Sequence, residues 1–120
     1  MNIVVLDNDE KAIKQTFNLI KCVVPDANVY GTVNKNDLLL YMMNHKVDIC
    51  FVTVVSEKRQ EIFAFAKKLK GKYSRLNMIF LAEGNEGRGL AMDMKASGYL
   101  LKPVDMDMIR LELSNLRYAV

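Results

Sequence analysis

The sequence predicts a three-layer α/β fold, and three observations carry that prediction. Val47–Val55 is almost unbroken apolar sequence, β-branched or aromatic at most positions, and Leu76–Ala82 is nearly as apolar. Runs this short without polar alternation are strands covered on both faces, as in the interior of a parallel sheet. Strand-like and amphipathic helical segments then alternate five times along the 120 residues. Right-handed crossovers between parallel strands place such helices on both faces of one sheet.

Each element has a local cause. Asn2–Leu6 is a strand, followed by the polar turn Asp7-Asn8-Asp9-Glu10. Asp9 caps a helix with the apolar stripe Ile13, Phe17, Ile20 and Val24, which Pro25-Asp26 ends. Ala27–Gly31 is a short second strand. Asn34 or Asn36 starts the second helix, through Leu38, Leu39, Tyr41, Met42 and Met43. The third strand runs to Thr53. A third helix over about Glu57 to Lys70 buries Ile62, Phe65 and Leu69 and stops at Gly71. After the fourth strand, Gly84, Gly87 and Gly89 make the next helix short and frayed at its start, since each interior glycine costs about 1 kcal/mol. Gly98–Leu101 is the fifth strand. Lys102-Pro103 ends it, and Asp105 caps a last helix burying Ile109, Leu113 and Leu116.

Composition narrows the class. Hydrophobic content of 51% with 26% charged residues is ordinary for a globular chain, and 120 residues make one domain, 1–120. No apolar run approaches the roughly 18 residues of a spanning helix, and Met1-Asn2-Ile3 does not begin a signal peptide. A cytoplasmic location follows as the expectation, with no membrane partner. Cys22 and Cys50 lack metal-ligand spacing and read as reduced, buried thiols. A net charge of +3 does not call for nucleic acid. The basic run Lys67, Lys68, Lys70, Lys72 and Arg75 reads first as a solvated face at a helix end, where cations suit the dipole, and second as a surface for an acidic or nucleic-acid partner. His45 reads as exposed at a helix end, and the eight methionines as core filler.

In open α/β sheets, ligands bind beyond the carboxyl ends of the strands. Thr53 therefore stands where a site is expected. The turn after the first strand has no glycine, which argues against a phosphate cradle there. The Gly84/Gly87/Gly89 loop has the wrong spacing for a dinucleotide fingerprint.

Asp7-Asn8-Asp9, Thr53, Ala82 and Ala96-Ser97-Gly98-Tyr99-Leu100-Leu101-Lys102-Pro103-Val104 together resemble the receiver domain of bacterial two-component response regulators. The likeness covers the whole chain and is nearest to receivers that begin transcriptional regulators of Gram-positive bacteria. It implies a flavodoxin-like sheet of order 2-1-3-4-5, a cis peptide between Lys102 and Pro103, and a longer regulator from which 1–120 is one domain. DNA would be contacted only through an effector domain beyond these residues.

The resemblance also implies chemistry that this sequence departs from. Receivers take a phosphoryl group onto an aspartate where this chain has Thr53, and an alcohol cannot form an acyl phosphate. Magnesium needs oxygen ligands, chiefly carboxylates. Asp7 keeps the first of these, whereas Asn8 and Thr53 replace the others. Ala82 replaces the hydroxyl that contacts the phosphoryl group. Lys102 and the switch aromatic Tyr99 match. Asp9 reads first as a helix cap and second as a partner for Asp7 in a weak magnesium site.

The expectation is a degenerate receiver with no enzymatic activity and no cofactor, magnesium included. Lys102 should turn back to Asp7, close to the Thr53 hydroxyl. With no hydroxyl at Ala82, Tyr99 should hold one orientation. The module would act by binding a protein partner or itself. The resemblance places a homodimer face on the fourth helix, fifth strand and fifth helix, carrying Arg88, Asp93, Lys95, Asp107, Arg110, Glu112 and Arg117. The alternatives are a phosphorylation-responsive receiver using another residue and a small-ligand binder using the residual strand-end pocket.

Overall fold

The computed structural model describes residues 1–120. Five strands form one parallel sheet: β1 (Asn2–Leu6), β2 (Asn28–Thr32), β3 (Ile49–Val54), β4 (Asn77–Ala82) and β5 (Gly98–Leu101), in the order β2-β1-β3-β4-β5. The helices between them are α1 (Glu10–Val23), α2 (Lys35–Asn44), α3 (Arg59–Lys72), α4 (Arg88–Asp93) and α5 (Met106–Leu113). This is the flavodoxin-like α/β arrangement.

The period of two along each strand divides the core into two halves. Val4, Cys50, Val52, Met78 and Phe80 face α2, α3 and α4. Ile3, Val5, Ile49, Phe51, Ile79 and Leu81 face α1 and α5 through Ile20 and Ile109. Every residue of β3 and β4 is buried, so these two strands are the interior pair that unbroken apolar runs imply. The expected caps form: Asp9, Asn34 and Asp105 accept backbone N–H bonds at the starts of α1, α2 and α5. The fourth helix is short, with a single 3-10 turn, Asn85–Gly87, before it. The Lys102–Pro103 peptide is cis.

Several expectations need correction. The second strand lies one residue later, at Asn28–Thr32. A 3-10 turn, Ser56–Lys58, precedes α3, which continues through Gly71 to Lys72. A side chain at Gly71 would meet nothing, so this glycine does not end the helix. The buried face of α3 is Ile62, Phe63, Ala66, Leu69 and Lys70. Phe65 is only half-buried, because it lies beside this stripe rather than on it. Cys22 is exposed, since it falls two residues past Ile20 on the outer side of α1. Cys50 is buried, and burial pushes its thiol up to about 12. Four methionines, Met1, Met43, Met92 and Met106, are exposed rather than core filler.

Candidate functional site

The carboxyl ends of β1, β3 and β5 bring three side chains together. Asp7 follows β1 and is 4% exposed. Its Oδ1 accepts the N–H of Asn8 at 2.7 Å. Its Oδ2 accepts the Thr53 hydroxyl at 2.6 Å and the Lys102 ammonium at 3.2 Å. Lys102 reaches back from the end of β5, where its own N–H is bonded to Ala82 O at 2.7 Å. Hydrogen bonds to a charged group are worth about 1.5–3 kcal/mol. The Lys102 contribution lies at the low end, because its side chain is 25% exposed and water screens it. Asp7 thus has both oxygens engaged by protein groups.

The other strand-end residues do not join this cluster. Asn8 is exposed, and Asp9 turns outward to accept the Lys11 N–H at 3.1 Å as the α1 cap. Ala82 is 2% exposed and its side chain offers no polar group. No three His, Cys, Asp or Glu side chains are grouped so as to hold a metal ion. Magnesium takes near-octahedral oxygen coordination through carboxylates and water, and one carboxylate already committed to an alcohol and an ammonium does not fit it. Beside Asp7 and Thr53 lies a cavity of about 140 Å³, also lined by Asn8, Lys35, Lys58 and Glu61.

Tyr99, on β5, points inward. Its hydroxyl donates to Gly84 O at 2.5 Å and accepts the Gly87 N–H at 3.3 Å. The Arg88 guanidinium lies 4.8 Å from its ring centre. A side chain at Gly87 would come within 2.7 Å of the Phe63 ring, so only glycine permits this close approach. The Tyr99 hydroxyl is therefore held by the loop backbone between β4 and α4, with no contribution from position 82.

The charged residues of the α4–β5–α5 surface are partly engaged already. Arg88 bonds Asn85 Oδ1 at 3.1 and 2.9 Å, and Asp107 pairs with Arg110 at 2.9 Å. Glu112 is half-buried, and burial raises its carboxyl above the usual range. Asp93, Lys95 and Arg117 are exposed. Between these charges stand exposed Leu90, Met92 and Leu111, which charge reading alone passed over. Their signal was available: Leu111, for example, lies two residues from buried Ile109, on the opposite side of α5.

A second polar cluster, at the amino ends of β4 and β5, was not anticipated. Asn77 is fully buried; its Oδ1 accepts Ser97 Oγ at 2.7 Å and the Tyr118 N–H at 2.8 Å. Its Nδ2 donates to Tyr118 O at 2.9 Å and Asp48 O at 3.2 Å. Lys70 is not part of a solvated face. It is buried, and its ammonium donates to Ser74 O and Leu76 O, each at 3.0 Å, while lying 4.3 Å from the Tyr118 ring centre. His45 is exposed at the end of α2, stacked on Tyr41 with ring centres 4.0 Å apart.

No helix is long and apolar enough to cross a membrane. No family model matches the chain, and no curated protein matches it by sequence. Solved structures match its shape. The response regulatory domain of protein mrkE from Klebsiella pneumoniae is 20% identical, with 97% of this chain and 94% of that one covered and a TM-score of 0.80. HP1043, an orphan response regulator of H. pylori, is 14% identical over 95% of this chain and 93% of that one, with a TM-score of 0.77. RcsB from Salmonella enterica serovar Typhimurium, solved bound to a promoter, is 17% identical over 99% of this chain and 69% of that one, with a TM-score of 0.80. Strand order, helix placement and these likenesses agree: the chain has the fold of response-regulator receiver domains.

Proposed function

We propose that this chain is a receiver-type signalling module that works without phosphoryl transfer, by binding a protein partner or a second copy of itself. One observation carries the reading: the Asp7 carboxylate is bonded to the Thr53 alcohol and the Lys102 ammonium, where phosphoryl chemistry would need a second carboxylate and a metal. The module has no catalytic residue and takes no magnesium. An alcohol at position 53 cannot supply the acyl phosphate, and Ala82 cannot relay its presence to Tyr99.

Tyr99, fixed inward by Gly84 and Gly87, holds the α4 end of the module in one arrangement. The contact surface we assign is α4–β5–α5, where Leu90, Met92 and Leu111 supply apolar area among Arg88, Asp93, Lys95, Asp107, Arg110, Glu112 and Arg117. Charges of both signs suit a two-fold, self-complementary contact. The promoter-bound state of RcsB belongs to a chain longer than this one; DNA would be reached here through a separate effector segment, in the cytoplasm. A ligand beside Asp7 and Thr53 is disfavoured by a cavity of only about 140 Å³ there, since small-molecule sites are generally about 300–1,000 Å³; the groove of about 350 Å³ lined by Glu83 and Lys102 is separate from it.

Sedimentation velocity over a concentration series, with and without a small-molecule phosphodonor and magnesium, tests the proposal. A self-association that the phosphodonor leaves unchanged and Leu111→Glu abolishes is the expected result. A phosphodonor-dependent shift would overturn it, as would a monomer throughout that captures no partner through this face.

A further inference from the structure

The groove between the end of α3 and α4 is a cavity of about 500 Å³, within the range of small-molecule sites. Three basic residues, Lys67, Lys70 and Lys95, line it against a single acidic one, Asp93. Leu90 and Met94 supply an apolar side, and Tyr118 closes the groove from the chain's last residues. This wall is built rather than incidental, because the Tyr118 backbone is clasped on both sides by buried Asn77.

Two further observations concern charge. Lys95 is the one non-glycine residue at positive φ, 59°. Side-chain-bearing residues are disfavoured there, and glycine is the usual residue just past a helix end. The chain thus holds a lysine in a strained position, with its side chain on the groove. Burial pushes the Tyr118 phenol up, yet the nearby positive charges of Lys70 and Arg117 pull it down further, and the net direction is downward. The potential at the groove wall therefore favours negative charge.

We propose that this groove binds a small phosphate monoester, its phosphate between Lys67 and Lys95 and its organic part against Leu90, Met94 and the Tyr118 ring. A phosphate monoester carries close to two negative charges at neutral pH, matching three ammonium groups offset by one carboxylate. Lys70 contributes field rather than a ligand bond, because its hydrogen bonds go to Ser74 O and Leu76 O. The site is on the opposite end of the sheet from Thr53 and is independent of phosphoryl transfer. It shares α4 with the proposed contact surface, so an occupant would alter Lys95 and Asp93 there.

Titration of the full chain with inorganic phosphate, a hexose phosphate and adenosine monophosphate, at constant ionic strength, tests the site by amide chemical shifts and calorimetry. The expected result is saturable binding of at least one ester, tighter than inorganic phosphate, with shifts at Met94, Lys95 and Tyr118. Lys67→Ala combined with Lys95→Gly should weaken it at least tenfold, while Lys11→Ala with Lys14→Ala on α1 should not. Lys95→Gly alone should raise Tm, so its loss of binding cannot be ascribed to unfolding. Absence of saturation, equal binding by the groove variant, the same shifts from chloride, or saturation only by an acidic peptide would each overturn the proposal.

Discussion

The two ends of the parallel sheet are built differently. At the carboxyl end, where ligand sites of open α/β sheets lie, the polar cluster is one carboxylate, one alcohol and one ammonium around about 140 Å³. At the amino end, Asn77 alone makes four hydrogen bonds, and they tie β4, β5, Asp48 and the segment after α5 together. Buried polar groups are costly unless paired, and a fully satisfied network specifies one arrangement. The fold's strongest polar specification thus sits at the end of the sheet opposite the strand-end cluster.

The largest effect should come from the amino end. Asn77→Ala leaves the Tyr118 backbone and the Ser97 hydroxyl without their side-chain partner, while Asp48 O keeps the backbone N–H of position 77, and should cost about 3 kcal/mol in urea unfolding. Asp7→Ala leaves the Thr53 hydroxyl and the Lys102 ammonium without an acceptor. It should cost less, about 2 kcal/mol, because partly exposed Lys102 can turn to water. A cost at Asp7 equal to or above that at Asn77 would break the contrast and mark the strand-end cluster as the better-determined site.

The smallest effect concerns pH, on α5. Burial raises the Glu112 carboxyl in the folded chain, so the folded state holds this proton more firmly than the unfolded state does. Its contribution is fully present below the unfolded value, about 4.3, and is lost as pH rises through the raised folded value. Glu112→Gln should therefore flatten the fall in urea midpoint over this window, leaving the slope above it unchanged. A steeper fall in the variant would contradict the assignment.

The sheet was legible because apolar runs and caps are local signals. Val47–Val55 and Leu76–Ala82 have no other comfortable structure, and Asp9, Asn34 and Asp105 cap their helices as short polar side chains do. The Asp7–Lys102 approach was legible only through the resemblance, since 95 residues separate the pair. Lys70 was misread because its charge outweighed its place in the pattern. It falls eight residues after Ile62, on the same stripe as Phe63, Ala66 and Leu69. Asn77 was hidden in an apolar run, and its partners Ser97 and Tyr118 are distant in sequence. Cys22 and the exposed methionines show the converse error, in which apolar character was taken for burial without regard to helix side.

The most direct test of phosphorylation independence is intact mass after incubation with a small-molecule phosphodonor and magnesium, on the wild-type chain and on Thr53→Asp. The wild-type chain should gain no phosphoryl group. Thr53→Asp should gain none either, because Asn8 and the outward-turned Asp9 still leave the metal site without its second carboxylate. Stoichiometric, magnesium-dependent phosphorylation of either chain would contradict the central claim.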